Sequence, residues 1–318
     1  LGGIFTSLFC IKKKIDVIFI FESSPITVAL PAIFVKKIKK IPICIWVLDL
    51  WPESVMSGGN IKSNFIPSLL NPLVKFIYDK SDKILVSSNG FVDSVKSKGV
   101  NIEKIEYFPQ WAEDLFKPVD ANFQLLPSIV RKDSFKIMFA GNIGEAQDFP
   151  SIIEAARILK DENIQWLILG DGRKSKWVKE KIKDYKLEKC FHMLGSHPLE
   201  SMPSYYALSD ALLFSLKNEY IFSITIPAKV QSYLACGKPI LGMINGEARK
   251  LINSNKVGFS CKAGDHKSLS KNILKISKLN NKDLNILSKN ALSFHKKNFD
   301  RKNLLDKLEK ILKSLVKT

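Results

Sequence analysis

Apolar residues in this chain gather in short continuous runs, separated by longer stretches where they recur every three or four positions. Runs of this kind fit strands buried on both faces, and the spaced stretches fit amphipathic helices. The pattern predicts a first series of strands at 16–21, 41–47, 83–86 and 105–108. A helix follows the first strand to about Lys39. Asn89 is placed to cap another that runs to about Lys98, with Gly99 past its end. A second and more regular series has strands at 135–139, 165–169, 190–193, 211–215, 239–243 and 257–261. Helices fall between them at 150–160, 174–185, 201–209, 227–235 and 247–254. Alternating strands and helices predict an α/β fold with a parallel, doubly wound sheet in each series. Between the series, 108–118 carries Pro109 and Pro118 and breaks the pattern, and 119–133 continues it without clear period. This predicts a domain over 1–118 and another over 119–318. Two such domains leave a cleft, with ligands at the carboxyl ends of the strands that face it.

A length of 318 residues, 46% of them hydrophobic, suits two cores of this size. The best candidate for a membrane-spanning helix, 26–35, is about half the length one needs. The chain starts at Leu1, and its apolar residues 1–11 lead into Lys12, Lys13 and Lys14 without a small-residue cleavage site. It therefore reads as beginning inside a longer protein. Cys10, Cys44, Cys190, Cys236 and Cys261 are scattered and odd in number, the pattern of reduced thiols. The net charge of +18 has three readings: compositional bias, a basic face toward anionic lipid, or nucleic acid. No nucleic-acid motif accompanies the lysines, and they spread along predicted helices, so nucleic acid is set aside. Stretch 262–318 is lysine-rich with periodic leucines and isoleucines, which predicts amphipathic helices with a basic solvated side.

Four loops carry candidate chemistry, each at the end of a predicted strand or the start of a helix. In Phe139-Ala-Gly-Asn-Ile-Gly-Glu-Ala-Gln147, Gly141 and Gly144 let the backbone approach a ligand, and a helix start follows that favours an anion. Leu169-Gly-Asp-Gly-Arg173 allows a tight turn at Gly170 and Gly172, with Arg173 in reach of a phosphate. In the segment from Phe222 to Pro239, Thr225 is read as an N-cap and Pro227 as a first-turn residue. Ser223, Thr225 and free N–H groups would there form an anion pocket. Lys229 falls in the first helical turn, where the macrodipole disfavours a cation unless an anion binds beside it. After the second strand, Val47-Leu-Asp-Leu-Trp-Pro-Glu-Ser54 offers Asp49 and Glu53 as cleft carboxylates.

Taken together these loops resemble family-4 retaining glycosyltransferases. The resemblance rests on Gly141-Asn-Ile-Gly-Glu-Ala-Gln147, Leu194-Gly195, Ile226-Pro-Ala-Lys229, Ser232-Tyr-Leu-Ala-Cys-Gly-Lys-Pro-Ile240 and Asp49-Leu-Trp-Pro-Glu53. Nearest in pattern is the branch that builds bacterial O-antigens and capsules, including fucosamine transferases. The resemblance implies a GT-B fold, two Rossmann-like domains facing a cleft, with the nucleotide mainly on the second and the acceptor on the first. It implies no metal or other cofactor, and places Leu194, Gly195 and His197 near the nucleobase. The first domain looks incomplete, because family members open with a βα unit that nothing before Asp16 supplies. Asn142 and Gln147 stand where the wider family often has an arginine and a lysine. The family's glutamate pair falls near Ile224 and Ser232, and its histidine near Phe21 and Glu22. No catalytic histidine or glutamate pair is therefore carried over. Lys229 becomes the main candidate for diphosphate charge and Arg173 the second; Asp49, with Glu22 and Glu53, is the acceptor side, and Asp49 is also the candidate for catalytic proton transfer.

The function this implies is transfer of a sugar from a nucleoside-diphosphate donor, UDP-linked, to a lipid-linked glycan at the anionic inner face of a bacterial membrane. A sugar-nucleotide epimerase of the same architecture and a non-catalytic assembly subunit are the rival readings. The first would need carboxylates in both domains; the second is favoured by the missing N-terminal unit and glutamates.

Overall fold

The computed structural model describes residues 14–58 and 65–316. The expectations that rest on Cys10, on the apolar residues 1–11, on Lys12 and Lys13, and on an absent opening βα unit lie outside the described residues. Two compact units emerge, Leu1–Gln110 with Lys302–Thr318, and Trp111–Arg301.

In the first unit, β1 (Ile18–Glu22), β2 (Ile43–Val47), β3 (Lys83–Val86) and β4 (Ile105–Tyr107) form a parallel sheet in sequence order. All five residues of β2 are buried, as the continuous run Ile-Cys-Ile-Trp-Val requires of a strand covered on both faces. Its Trp46 donates from Nε1 to the Phe108 carbonyl at 2.9 Å, so its one polar atom is satisfied in the core. The connections are α1 (Ala29–Lys39), α2 (Glu53–Gly58) with α3 (Phe65–Lys80), and α4 (Gly90–Ser97). Right-handed crossovers in a sheet built in one direction put such helices on one face, and α1 does pack against α3. The sequence pattern assigns no helix to the region of α3. Pro67 and Pro72 obscure a period whose inward residues are Val74, Ile77 and Tyr78. The predicted cap at Asn89 is corrected. Asn89 has helical φ and ψ and makes no cap bond, and Ser88 Oγ accepts from Gly90 N at 3.3 Å instead.

In the second unit six parallel strands lie in the order β10-β9-β8-β5-β6-β7. They are β5 (Phe135–Ala140), β6 (Ile164–Leu169), β7 (Phe191–Gly195), β8 (Ala211–Ser215), β9 (Ile240–Met243) and β10 (Gly258–Cys261). The chain starts at the middle of this sheet, winds out through β6 and β7, then returns to pair β8 with the other edge of β5. That reversal between β5 and β8 is a topological switch point, where loops on either side part and a ligand can enter. Around the sheet lie α5 (Phe149–Ile158), α6 (Ser175–Asp184), α7 (Met202–Ala207), α8 (Tyr220–Ile224), α9 (Ala228–Ala235), α10 (Gly246–Ser254), α11 (His266–Ser277) and α12 (Asn281–Asn298). Two clusters of buried side chains, one on each face of the sheet, centre on Trp166 with Phe139 and on Tyr233 with Phe214. Both units are α/β with all-parallel sheets, the GT-B architecture expected. Cys44, Cys190, Cys236 and Cys261 are buried free thiols.

The last helix, α13 (Arg301–Leu315), buries Leu304, Leu308 and Ile311 along one side. Its Lys307 donates to the Tyr107 carbonyl at 3.0 Å and pairs with Glu106 at 3.0 Å, both on β4. No described helix is long and apolar enough to cross a membrane.

Candidate functional site

Three loops of the second unit are tied to one another beyond the carboxyl ends of β5, β6 and β7. Gly141 N donates to the Leu169 carbonyl at 2.9 Å, Ile143 N to Asp171 at 2.9 Å, and Gly170 N to Gly195 at 2.7 Å. Such close passage demands glycine. Gly170 has φ +125, and a Cβ there would lie 1.9 Å from the Gly141 carbonyl oxygen. At Gly172, φ +159, a Cβ would meet Asn142 Oδ1 and the Ile143 oxygen at 2.5 Å each. The glycines serve first to nest one loop in the next, and the nest leaves backbone exposed at its rim.

Gln147 is used within this nest, its Oε1 accepting from Gly144 N at 3.2 Å. Asn142 projects against Gly144 and Gly172. Arg173 stands exposed before α6. Glu145, which the sequence reading passes over, pairs with Lys174 and Lys217 across two loops. The Lys174 and Lys217 ammoniums hold its carboxyl below the usual range.

Lys229 reaches the same loops from α9. Its Nζ donates to the Ala140 carbonyl at 3.2 Å and lies 4.4 Å from the centre of the Phe139 ring. A Cβ on Gly141 would come within 2.9 Å of it, so this glycine (φ +137) makes room for the ammonium. Burial alone pushes its pKa down from 10.5 to about 8. No carboxylate among the described residues offsets that burial. The arrangement is a cation held in place by a carbonyl and a ring, at a helix start whose dipole opposes it. An anion placed at Gly141 would relieve both costs. Tyr233, one helical turn on from Lys229 and fully buried, fixes this end of β5: its hydroxyl lies 3.4 Å from the Ala140 oxygen and 3.3 Å from Leu213 O.

The capping expected at this helix start is corrected. Pro227 itself occupies the N-cap position, extended at φ −62 and ψ 138, and no side chain caps the helix. Thr225 Oγ1 donates backward to the Ile221 carbonyl at 2.7 Å, and Ser223 Oγ to Tyr220 at 2.7 Å. Both hydroxyls close the end of α8. Gly237, φ +65, ends α9 as expected.

On the far side of Gly141 a depression of about 270 Å³ is lined by Gly141, Asn142, Gly170, His197 and Met202 among others. The β6–β7 register skips Leu194 and pairs Leu169 with Gly195, a bulge that turns this strand end outward. His197 is fixed through both nitrogens, with Nε2 2.9 Å from the Leu194 carbonyl and Nδ1 3.1 Å from Tyr205 Oη. The structure thus brings Gly141, Asn142, Gly170 and His197 to one depression, with Gly195 bonded to Gly170 and Lys229 against Gly141; Arg173, Ser223 and Thr225 do not line it.

In the first unit a second group of polar side chains meets beyond β1 and β2. Glu22 is fully buried; its Oε2 accepts from Asp49 N at 3.4 Å. Burial, with Asp49 beside it, pushes the Glu22 carboxyl up to about 8. Asp49 Oδ2 accepts from Trp51 Nε1 at 3.1 Å. Glu53 pairs with Lys98 at 2.8 Å and accepts from Ser94 Oγ at 2.6 Å. The buried Tyr78 hydroxyl, Glu22 Oε1 and Glu53 Oε2 have no partner among the described residues. Tyr78 lay outside the sequence reading because α3 did.

The family profile described as "Glycosyl transferases group 1" matches residues 126–294. "Probable glycosyltransferase WbjE" of Pseudomonas aeruginosa is 29% identical over 248 residues, 74% of this chain and 60% of that protein. The Campylobacter jejuni N-acetylgalactosamine-N,N'-diacetylbacillosaminyl-diphospho-undecaprenol 4-alpha-N-acetylgalactosaminyltransferase is 25% identical over 267 residues, 82% of this chain and 66% of that protein. The chain thus spans about three fifths to two thirds of the length of these two relatives. Among solved structures, Anabaena Alr3699/HepE in complex with UDP shares the fold with a TM-score of 0.73 at 15% identity, over 93% of this chain and 79% of that one.

Proposed function

The chain belongs to the group 1 glycosyl transferases, and from that premise we propose that it moves a sugar from a UDP-linked donor to a lipid-linked glycan in bacterial surface polysaccharide synthesis. The observation that carries this reading is Lys229, a half-buried lysine whose ammonium sits beside Gly141 with no carboxylate paired to it among the described residues. A diphosphate is the leaving group whose growing charge such a cation stabilises. UDP is present in the Anabaena structure of the same fold, and a diphospho-undecaprenol acceptor stands in the Campylobacter relative's name.

In this reading the diphosphate lies over Gly141, against Lys229 and the first N–H groups of α9. The nucleobase lies by Leu194, Gly195 and His197. Asn142, Gly144, Gln147 and Gly170 shape the loop; Arg173, Ser223 and Thr225 are peripheral to it. Configuration is retained, and the negative charge is met by protein groups without a divalent ion. Asp49, with Glu22 and Glu53, orients the acceptor hydroxyl, and Glu22 holds a proton at neutral pH that it can donate. The motif resemblance extends the reading to the branch that includes fucosamine transferases, working at the inner face of an anionic membrane.

Calorimetric titration with UDP, followed by turnover of a set of UDP-sugars with a polyprenyl-diphosphate glycan, tests it. Binding of UDP with transfer of sugar supports the reading. Binding with interconversion of the sugar would make the protein an epimerase, and no binding at all would refute the donor site.

A further inference from the structure

The outer face of the first unit joins charge and apolar surface in a way the sugar-transfer chemistry does not use. On α1, Phe34 and Ile38 are one helical turn apart and 37% and 54% exposed. On α3, Leu69 and Phe76 lie two turns apart and are 64% and 43% exposed. Lys37 on α1, Lys40 just past its end and Lys80 at the end of α3 are all exposed. A groove of about 1070 Å³ is walled by α1 and the end of α3, with Ile33, Lys37, Lys40, Phe76 and Lys80, and by the residues before β1 and the end of α13. None of these three lysines is ion-paired among the described residues. Lys80 stands 5.8 Å from the Phe76 ring instead. The groove's acids are already engaged. Asp82 holds Lys36 and accepts from Ile43 N at 2.7 Å, and Asp16 lies 3.8 Å from Lys14.

Exposed large apolar side chains side by side mark an interaction surface. Interleaved with unpaired lysines, they match the boundary of an anionic bilayer, where phosphate meets hydrocarbon. A folded protein partner would need acidic side chains opposite every lysine and a complementary apolar face. A bilayer supplies both without shape matching. We propose that the α1–α3 face is where this protein docks on an anionic membrane, with phosphates in the groove and Phe34, Ile38 and Phe76 reaching the acyl boundary. This deepens the membrane element of the proposed function and rests on that reading only for why the protein should visit a membrane.

Vesicle co-sedimentation of the full chain tests it, with phosphatidylglycerol against phosphatidylcholine vesicles. Wild type should bind the first and not the second. Lys37→Gln, Lys40→Gln and Lys80→Gln together should lower binding about a hundredfold, and reversal to Glu should lower it further. Phe34→Ser with Phe76→Ser should abolish the part of binding that survives high salt. Each position is exposed, so far-ultraviolet circular dichroism and the melting temperature should match wild type. Lys271→Glu, Lys296→Glu and Lys297→Glu together match the net charge of the glutamate triple on the second unit, and should bind as wild type does. Equal losses in that control, equal binding to neutral vesicles, or undiminished binding by the α1–α3 variants would each overturn the assignment. UDP affinity, measured on the same proteins, should be unchanged throughout. Its absence in wild type would sink the sugar-transfer reading and leave the docking face standing.

Discussion

Removing the Lys229 ammonium should separate binding from stability, in opposite directions. Lys229→Met is the sharper substitution, because it keeps the stem against Phe139 and deletes only the charge. A charged contact of this kind to a ligand contributes about 2–5 kcal/mol, so UDP affinity should fall from about 30-fold to several thousand-fold. Stability should not fall with it. A lysine whose folded pKa is about 8 rather than 10.5 destabilises the fold wherever it is charged. That penalty is complete below about pH 8 and disappears as pH rises through 10.5. For a half-buried side chain it is about 1–3 kcal/mol, so the variant should melt at or above the wild-type temperature at pH 7. UDP affinity of wild type should be flat below about pH 8 and weaken above it as the amine loses its proton, a profile that Lys229→Met lacks. Calorimetric titration from pH 6.5 to 9.5 and differential scanning calorimetry measure the two effects. Unchanged UDP affinity in the variant, or a wild-type profile with no break near pH 8, would refute the idea that this amine binds the diphosphate.

Other expectations follow from the same geometry. Gly170→Ala puts a Cβ 1.9 Å from the Gly141 carbonyl at φ +125, and should cost roughly 3 kcal/mol or more and lower the melting temperature by about 10 °C. Glu22 keeps its proton up to about pH 8 in the fold but loses it near 4.5 when unfolded. Stability should thus decline from pH 4.5 to pH 8, and chemical denaturation of Glu22→Gln should show that decline removed. Tyr233→Phe should cost about 1 kcal/mol through its lost hydroxyl contacts, read from urea unfolding, with little effect on UDP affinity. Turnover should persist in EDTA; loss on chelation with recovery by magnesium or manganese would mean that the diphosphate charge is met by an ion.

Much of the fold was legible because its strands are buried on both faces, which leaves runs such as Ile-Cys-Ile-Trp-Val. The glycine loops of the second unit were legible for a related reason. Glycines forced by backbone contact, as at Gly170, leave a signature no side chain can imitate. What stayed hidden had local alternatives of similar strength. Helix α3 hides behind Pro67 and Pro72, and Tyr78 with it. Around α9, Ser223, Thr225 and Pro227 all suit a helix boundary, and two such boundaries meet there: the hydroxyls close α8 and proline opens α9. Spacing shows that a cap exists without saying which helix owns it. The Lys229 position was readable from the helix period, whereas its contact with Gly141 depends on the switch-point topology. The leucine period of α13 likewise reveals a buried side without revealing which sheet covers it.

That last helix bears on how the protein is made. The first unit is discontinuous: it begins the chain but takes Lys302–Thr318 from its end. On the ribosome its sheet is complete once β4 has emerged, yet Glu106 and the carbonyl of Tyr107 wait for Lys307, some 200 residues later. The second unit is one uninterrupted segment and can fold while the first is still open. Synthesis from the amino terminus ordinarily favours the leading domain; here the trailing domain is finished first. A nascent chain stalled or clipped near residue 301 would carry a finished second unit and an unsealed first one, an intermediate that quality-control proteases and chaperones would meet with the α13 seat of the first unit uncovered.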